Sequence, residues 1–261
     1  MKKYPMACLM LIASFAWSAG TDYLNINNLT WNLVGTHYES SFKVSAELFN
    51  DNFEQYTNLT PMVDGINGWY SSSYSINGTN YVSIVQTNII CPETGGIKSV
   101  MIPVDCTLSN RFTGISTTNV WIQMDVRLSF YDSTNTPVVD TNVVMMFYVN
   151  TNGYFVVHNG TSDPDPTNSV NWVTVTNSIQ ISTIGTNWVT IGIYEDFAKT
   201  NWDLYAKTNW DLPAAWVLVT NNIGFVNPTL TNFSGFNEVN GSATSYLDNV
   251  YVINTNAGPI I

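Results

Sequence analysis

Between residues 120 and 130 apolar and polar side chains alternate without a break. Val120, Ile122, Met124, Val126, Leu128 and Phe130 face one way, and Trp121, Gln123, Asp125, Arg127 and Ser129 the other. A period of two marks a strand with one buried face. The same alternation runs through 42–49, where Phe42, Val44, Ala46 and Leu48 share a side, and through 244–253. Shorter runs at 81–90, 99–104, 142–149, 154–158, 172–175, 188–197 and 215–220 have the same character. Strands this short, broken every ~8–15 residues by turn residues, predict an all-β sandwich or barrel. Asn77-Gly78, Asn152-Gly153, Asn159-Gly160 and Asn240-Gly241 supply the positive φ of tight hairpins, and Asp163-Pro-Asp-Pro166 marks an exposed loop.

Composition agrees with the pattern. The chain is rich in Asn, Thr, Val, Tyr and Trp and poor in helix formers, which favours strands over any window. Thr-Asn recurs often, but at irregular spacing and without a matching apolar repeat, so a solenoid is excluded. One local repeat is real: Ala198-Lys-Thr-Asn-Trp-Asp-Leu-Tyr205 is followed at once by Ala206-Lys-Thr-Asn-Trp-Asp-Leu-Pro213. Two tandem copies cannot fill one strand slot, so one is expected to bulge out. Pro213 points to the second copy, which makes Trp210 the tryptophan expected to be exposed.

The first twenty residues have the layout of a signal peptide: Lys2 and Lys3, then an apolar stretch from Met6 to Trp17, then small residues with cleavage after Ser18 or Gly20. That stretch is too short to span a bilayer, and no later one approaches ~20 apolar residues, so no membrane span is expected. The mature protein is thus expected to be secreted, periplasmic or on the cell surface. Residues 21–47 are expected to be an N-terminal extension or an added edge strand, 48–254 one sandwich and 255–261 a tail. The formal net charge is −11. Past the signal, only Lys43, Lys98, Arg111, Arg127, Lys199 and Lys207 are basic, so nucleic acid and anionic lipid are poor partners. A divalent cation suits such a surface. Cys8 leaves with the signal, and Cys91 and Cys106 remain as an even pair in an oxidising compartment. A disulfide between them would close a loop worth ~3 kcal/mol; the alternative is two half-buried thiols.

Two segments carry a family resemblance. Phe49-Asn-Asp-Asn-Phe-Glu-Gln-Tyr56 with Gly68-Trp69 stands early, and Ser245-Tyr-Leu-Asp-Asn-Val-Tyr-Val252 stands late. With Trp188-Val-Thr-Ile-Gly-Ile-Tyr-Glu-Asp196 and Trp202-Asp-Leu-Tyr205 between them, their order resembles the concanavalin A-like lectin/glucanase sandwiches, including laminin-G-like jelly rolls. The resemblance implies a two-sheet antiparallel β-sandwich of jelly-roll type with its chain ends paired. It also implies a structural Ca2+ at Glu54 and Asp248, where carboxylates and carbonyls would clamp the first and last strands. The alternative at both positions is a carboxylate that caps turn N–H groups. The duplication departs from the family's short turn after Tyr205.

Catalysis is not expected. A glycosidase needs two carboxylates facing each other across a cleft, and the family's Glu-x-Asp-x-x-Glu run is missing. Glu195-Asp196 is the nearest acidic pair, but neighbours on a strand point to opposite faces. There is no Gly-x-Ser-x-Gly elbow, and with only His37 and His158 a His-rich zinc site is excluded. Binding is the better-supported class. Trp121, Gln123, Asp125 and Arg127 combine an aromatic ring with amide, carboxylate and guanidinium groups, the mix that stacks on a pyranose and hydrogen-bonds its hydroxyls. Tyr148, Tyr154 and His158 could continue that face. The competing account is an ordinary strand face with cross-strand partners and a loop over Trp121. Three functions follow, in order: a non-catalytic lectin-like module for polysaccharide or cell-surface glycan; a structural, adhesive surface protein that self-associates; and a polysaccharide-degrading glycoside hydrolase or lyase, which would need a cleft with two carboxyls facing each other.

Overall fold

The computed structural model describes residues 24–34, 37–76, 79–89, 91, 96–111, 119–131, 136–182, 187–208, 215–240, 243–255 and 259. The signal segment, Trp210 and most of the second duplicated copy lie outside them. In chain order the strands are β1 (Leu24–Val34), β2 (His37–Asp51), β3 (Trp69–Ser71), β4 (Tyr74–Ile76), β5 (Thr79–Tyr81) and β6 (Ile84–Thr87). Then follow β7 (Lys98–Ile102), β8 (Thr107–Arg111), β9 (Asn119–Arg127), β10 (Phe147–Val149), β11 (Phe155–His158) and β12 (Trp172–Thr174). The rest are β13 (Val189–Asp196), β14 (Asn201–Lys207), β15 (Val217–Gly224), β16 (Gly235–Val239) and β17 (Ser245–Thr255).

The chain is an all-β, two-sheet antiparallel sandwich. One layer is a large sheet in the order β1-β2-β17-β9-β13-β14-β15, with β7 also on β17 and β6 on β7. The facing layer is built from two smaller sheets, β16-β8-β3 and β10-β11-β12. A single core lies between the layers. Val120, Ile122, Ile191, Ile193, Leu204 and Val252 enter it from the large sheet, and Trp69, Leu108, Phe155 and Val157 from the other side. Every apolar position of the alternating 120–126 run is in that core, which is why the pattern was so clean.

Several strands differ in length from the pattern. Within 142–149 the strand is confined to Phe147–Val149, and the start is held in a turn in which Asp140 Oδ1 accepts the Asn142 N–H at 2.9 Å. Within the run at 120–130 the strand ends at Arg127. The Asn152-Gly153 turn forms as expected, with Gly153 at φ +80°. A side chain at Gly153 would start 2.0 Å from the Ile181 carbonyl oxygen, so this turn needs glycine for space as well as for φ.

The early motif is organised by Asp51, at the end of β2. Its Oδ1 accepts the Phe53 N–H and the Gln55 amide, both at 2.8 Å, and its Oδ2 accepts Tyr56 Oη at 2.8 Å, Asn67 Nδ2 at 2.9 Å and Trp69 Nε1 at 2.9 Å. Burial, and then this carboxylate, push the Tyr56 hydroxyl up to about 12. Five donors meet this one buried carboxyl group, so Asp51 ties both ends of the segment 51–69 to the end of β2.

Candidate functional site

The face of the large sheet turned away from the core holds four of the predicted binding residues, Trp121, Gln123, Asp125 and Arg127. Strand register arranges it in rows. The first row runs Ile253, Trp121, Tyr194 across β17, β9 and β13, and the second Tyr251, Gln123, Gly192, Tyr205 across β17, β9, β13 and β14. The third is Asp248, Asp125, Thr190 and Lys207, and the fourth pairs Tyr246 with Arg127. Trp121, Tyr194, Tyr205 and Ile253 pack into a second apolar cluster, with Trp216 and Tyr251 half-buried at its edge.

Trp121 is not the exposed stacking ring expected of it. It is fully buried, with Tyr205 at 5.5 Å and Trp216 standing edge-on at 5.4 Å between ring centroids. The cause is Gly192. A Cβ there would lie 2.6 Å from the Trp121 ring and 3.0 Å from that of Trp216, so the missing side chain is the space the two indoles fill. Trp216, just before β15, therefore presents the outward aromatic surface, with the Lys207 ammonium 5.1 Å from its ring centroid. Gln123 remains half-buried beside it.

Asp125 is also withdrawn from solvent, at 1% exposure. Its carboxylate accepts Thr190 Oγ1 at 2.7 Å, Asn249 Nδ2 at 2.7 Å and the Cys91 thiol at 3.4 Å, so both of its oxygens are bonded within the chain. Asn249 reaches it because β17 bulges between Asp248 and Tyr251, with Asn249 at φ +49°. Arg127 lies over the cross-strand Tyr246 ring at 5.0 Å.

Tyr154 and His158 do not join this face. His158 ends β11 of the separate sheet β10-β11-β12, whose strands are not neighbours of β9, and Tyr154 stands just before that strand. His158 is fully buried, its Nε2 lies 2.8 Å from the Pro166 carbonyl, and it packs edge-on against Trp172. Burial lowers its pKa, so it is a neutral interior group. Tyr131, Tyr148 and Trp172 continue the same packed row, with centroids 5.1 and 5.3 Å apart.

The bridge expected between Cys91 and Cys106 is not formed. Both side chains are buried and point to different acceptors: Cys91 to Asp125 at 3.4 Å, and Cys106 to the Tyr81 carbonyl at 3.6 Å. At the proposed metal positions the two carboxylates differ. Glu54 Oε1 accepts the N–H groups of Ile97 at 2.7 Å and Lys98 at 2.8 Å, and the Glu54 carbonyl accepts Lys98 Nζ at 2.6 Å. It thus acts as a cap. Asp248 is buried, its Oδ1 accepts the Asn249 N–H at 2.8 Å, and its Oδ2 has no partner. Burial pushes its carboxyl up to about 8, the Asn249 N–H opposes this, and the charges of Asp125, Glu54 and Asp51 add to it. Among the described residues no group of three or more His, Cys, Asp or Glu side chains is disposed to hold a metal.

A second region escaped the sequence pattern. A cleft of about 690 Å3 opens between the layers, lined by Glu195 and Phe197 from β13 and its end, by Asn110 and Arg111 of β8, and by the segments 140–145 and 230–237. Glu195 and Asp196 do point to opposite faces, as expected. Glu195 faces inward, and Asp196 faces outward with Lys199 Nζ at 2.8 Å. The signal for Glu195 was its place in the apolar set Val189, Ile191, Ile193, Phe197, where a carboxyl has no business unless something satisfies it.

No family model matches the chain, and no curated protein matches it. Solved structures do resemble it. One is domain 4 of an extracellular family 43 arabinanase from Geobacillus stearothermophilus, in complex with arabinotriose (10% identity, 82% of this chain and 94% of that one, TM-score 0.45). Another is arcelin-5, a lectin-like defence protein from Phaseolus vulgaris (8% identity, 80% and 97%, TM-score 0.41). A third is the catalytic domain of a family 131 glycoside hydrolase from Coprinopsis cinerea (14% identity, 80% and 95%, TM-score 0.38). Likenesses this remote say nothing of what the chain binds. Among the described residues no helix is long and apolar enough to cross a membrane.

Proposed function

We propose that the protein is an exported, non-catalytic carbohydrate-binding module that takes polysaccharide or cell-surface glycan on the outer face of its large sheet. The observation that carries this is the placement of Trp216. Its half-buried ring is held edge-on by buried Trp121 above a residue without a side chain. A rigid aromatic edge with the Lys207 ammonium 5.1 Å from its ring, over the row that holds the half-buried Gln123, offers the stacking surface and polar groups that a sugar ring needs. Trp121 and Asp125 serve this face as its floor, and Arg127 sits at its margin.

Calcium enters the proposal at one point. Asp248 Oδ2 is the oxygen a cation would find, and a bound cation would offset the burial and the Asp125, Glu54 and Asp51 charges that oppose its ionisation. A glycan array with the mature protein, with and without Ca2+, tests both ideas. Binding lost in Trp216→Ala at unchanged folding supports the outer face. Binding equal to the parent's in that variant removes it.

A structural, self-associating protein is the second reading, favoured by β15 at one end of the large sheet with Val217 and Leu218 40% and 45% exposed. Sedimentation of the parent and Leu218→Lys separates the two: a dimer abolished by lysine supports association, and a monomer at all concentrations rejects it.

A further inference from the structure

The cleft between the layers carries an inference independent of the outer face. Glu195 is 1% exposed and its Oε2 has no hydrogen-bond partner, although it lines a cleft large enough for a small ligand. Its cross-strand neighbour in the register is Trp202, whose buried Nε1 also lacks an acceptor. A native fold seldom leaves two such groups unsatisfied side by side, since each costs free energy until something bonds to it. The rim carries one charge of each sign, Arg111 and Asp140, both exposed, so it does not select an ion. The remaining polar walls are amides and hydroxyls, among them Asn142 and Asn237, interleaved with phenyl rings such as Phe197.

We propose that this cleft is a binding site for an uncharged, hydroxyl-rich ligand, a free saccharide or the end of a glycan chain, with Glu195 as its anchor. A carboxyl that burial pushes up to about 8 is protonated at neutral pH. It then offers one O–H donor and one acceptor oxygen, the pair that a sugar hydroxyl can meet at once. The same group repels no neutral ligand and gains nothing from a cation.

The test uses the mature chain with glucose, xylose and mannose, and with cellohexaose, xylohexaose and mannohexaose, followed by calorimetry and by the carboxyl carbon resonance of Glu195. The expected result is binding that shifts this resonance, falls about tenfold or more in Glu195→Leu, and stays near the parent level in Glu195→Gln, which keeps a donor and an acceptor. Glu195→Leu should fold with an equal or higher Tm, so lost binding cannot be blamed on unfolding. Monosaccharides that bind as well as hexasaccharides identify a free saccharide, and hexasaccharides alone identify a chain end. If no sugar moves the resonance, or if Glu195→Leu binds like the parent, the cleft site is wrong. Trp216→Ala serves as the control: its effect decides the outer face and leaves the cleft result intact.

Discussion

The outer face and the inter-layer cleft are built from the same strand, β13, and came out as opposites. On the outer side Gly192 makes room for two indoles, and the polar groups beneath them find partners: Asp125 is held by Thr190, Asn249 and Cys91. On the inner side Glu195 occupies a core position and keeps an unbonded oxygen next to open volume. A residue type that looked functional from sequence, Asp125, is structurally consumed. One that looked unusable, Glu195, is the group left with unmet bonding capacity. Polar chemistry on a strand therefore marks a site only where the neighbouring strands fail to satisfy it.

The largest effect should come from breaking the outer floor. Trp121→Ala removes a fully buried indole and should cost about 3–5 kcal/mol in urea unfolding, while Trp216→Ala, on the half-buried ring above it, should cost under about 1.5 kcal/mol. Equal costs would mean that the two rings are not floor and surface.

The next effect concerns pH and three acids whose carboxyls are pushed up by desolvation, Glu195, Asp248 and Glu238 of β16. Burial holds Glu195 and Asp248 up to about 8 and Glu238 up to about 7, whereas in the unfolded chain they release protons near pH 4. The folded state binds more protons between these limits, so the stability they confer is complete below about pH 4 and drains as pH rises through 7–8. Unfolding free energy should fall by a few kcal/mol from pH 5 to pH 9. Glu195→Leu should flatten that slope, and a slope unchanged in the variant would deny the raised pKa.

Filling the notch between the regions comes third. Gly192→Ala forces Trp121 and Trp216 apart and should cost about 1–3 kcal/mol, with glycan binding on the outer face lost before folding is. The smallest effect is expected from metal: Ca2+ should raise Tm by a few degrees in the parent and not in Asp248→Asn, as read by calorimetry. An identical rise in the variant would place any cation elsewhere.

The strand identities were largely legible because burial on one side writes itself into the sequence with period two, as in 120–126 and 188–197. The early and late motifs were legible as well, although their reason was not. Asp51, unremarkable in Phe49-Asn-Asp-Asn-Phe53, turned out to be the acceptor for five donors spread as far as Trp69. The composite face of Trp121 with Tyr154 and His158 was misjudged because alternation tells which side a residue takes but not which strands become neighbours. β9 lies between β17 and β13, and β11 went to another sheet.

What the sequence by itself determined is the class of fold and the inward or outward sense of nearly every strand residue, since both follow from local alternation and turn chemistry. Tertiary structure alone decided which outward residues stay in solvent. The indole of Trp121 is covered by Trp216 from 95 positions along the chain, through the space left at Gly192, and Cys91 meets Asp125 instead of Cys106. Such outcomes depend on contacts distant in sequence, whose geometry is set only when the sheets close on one another.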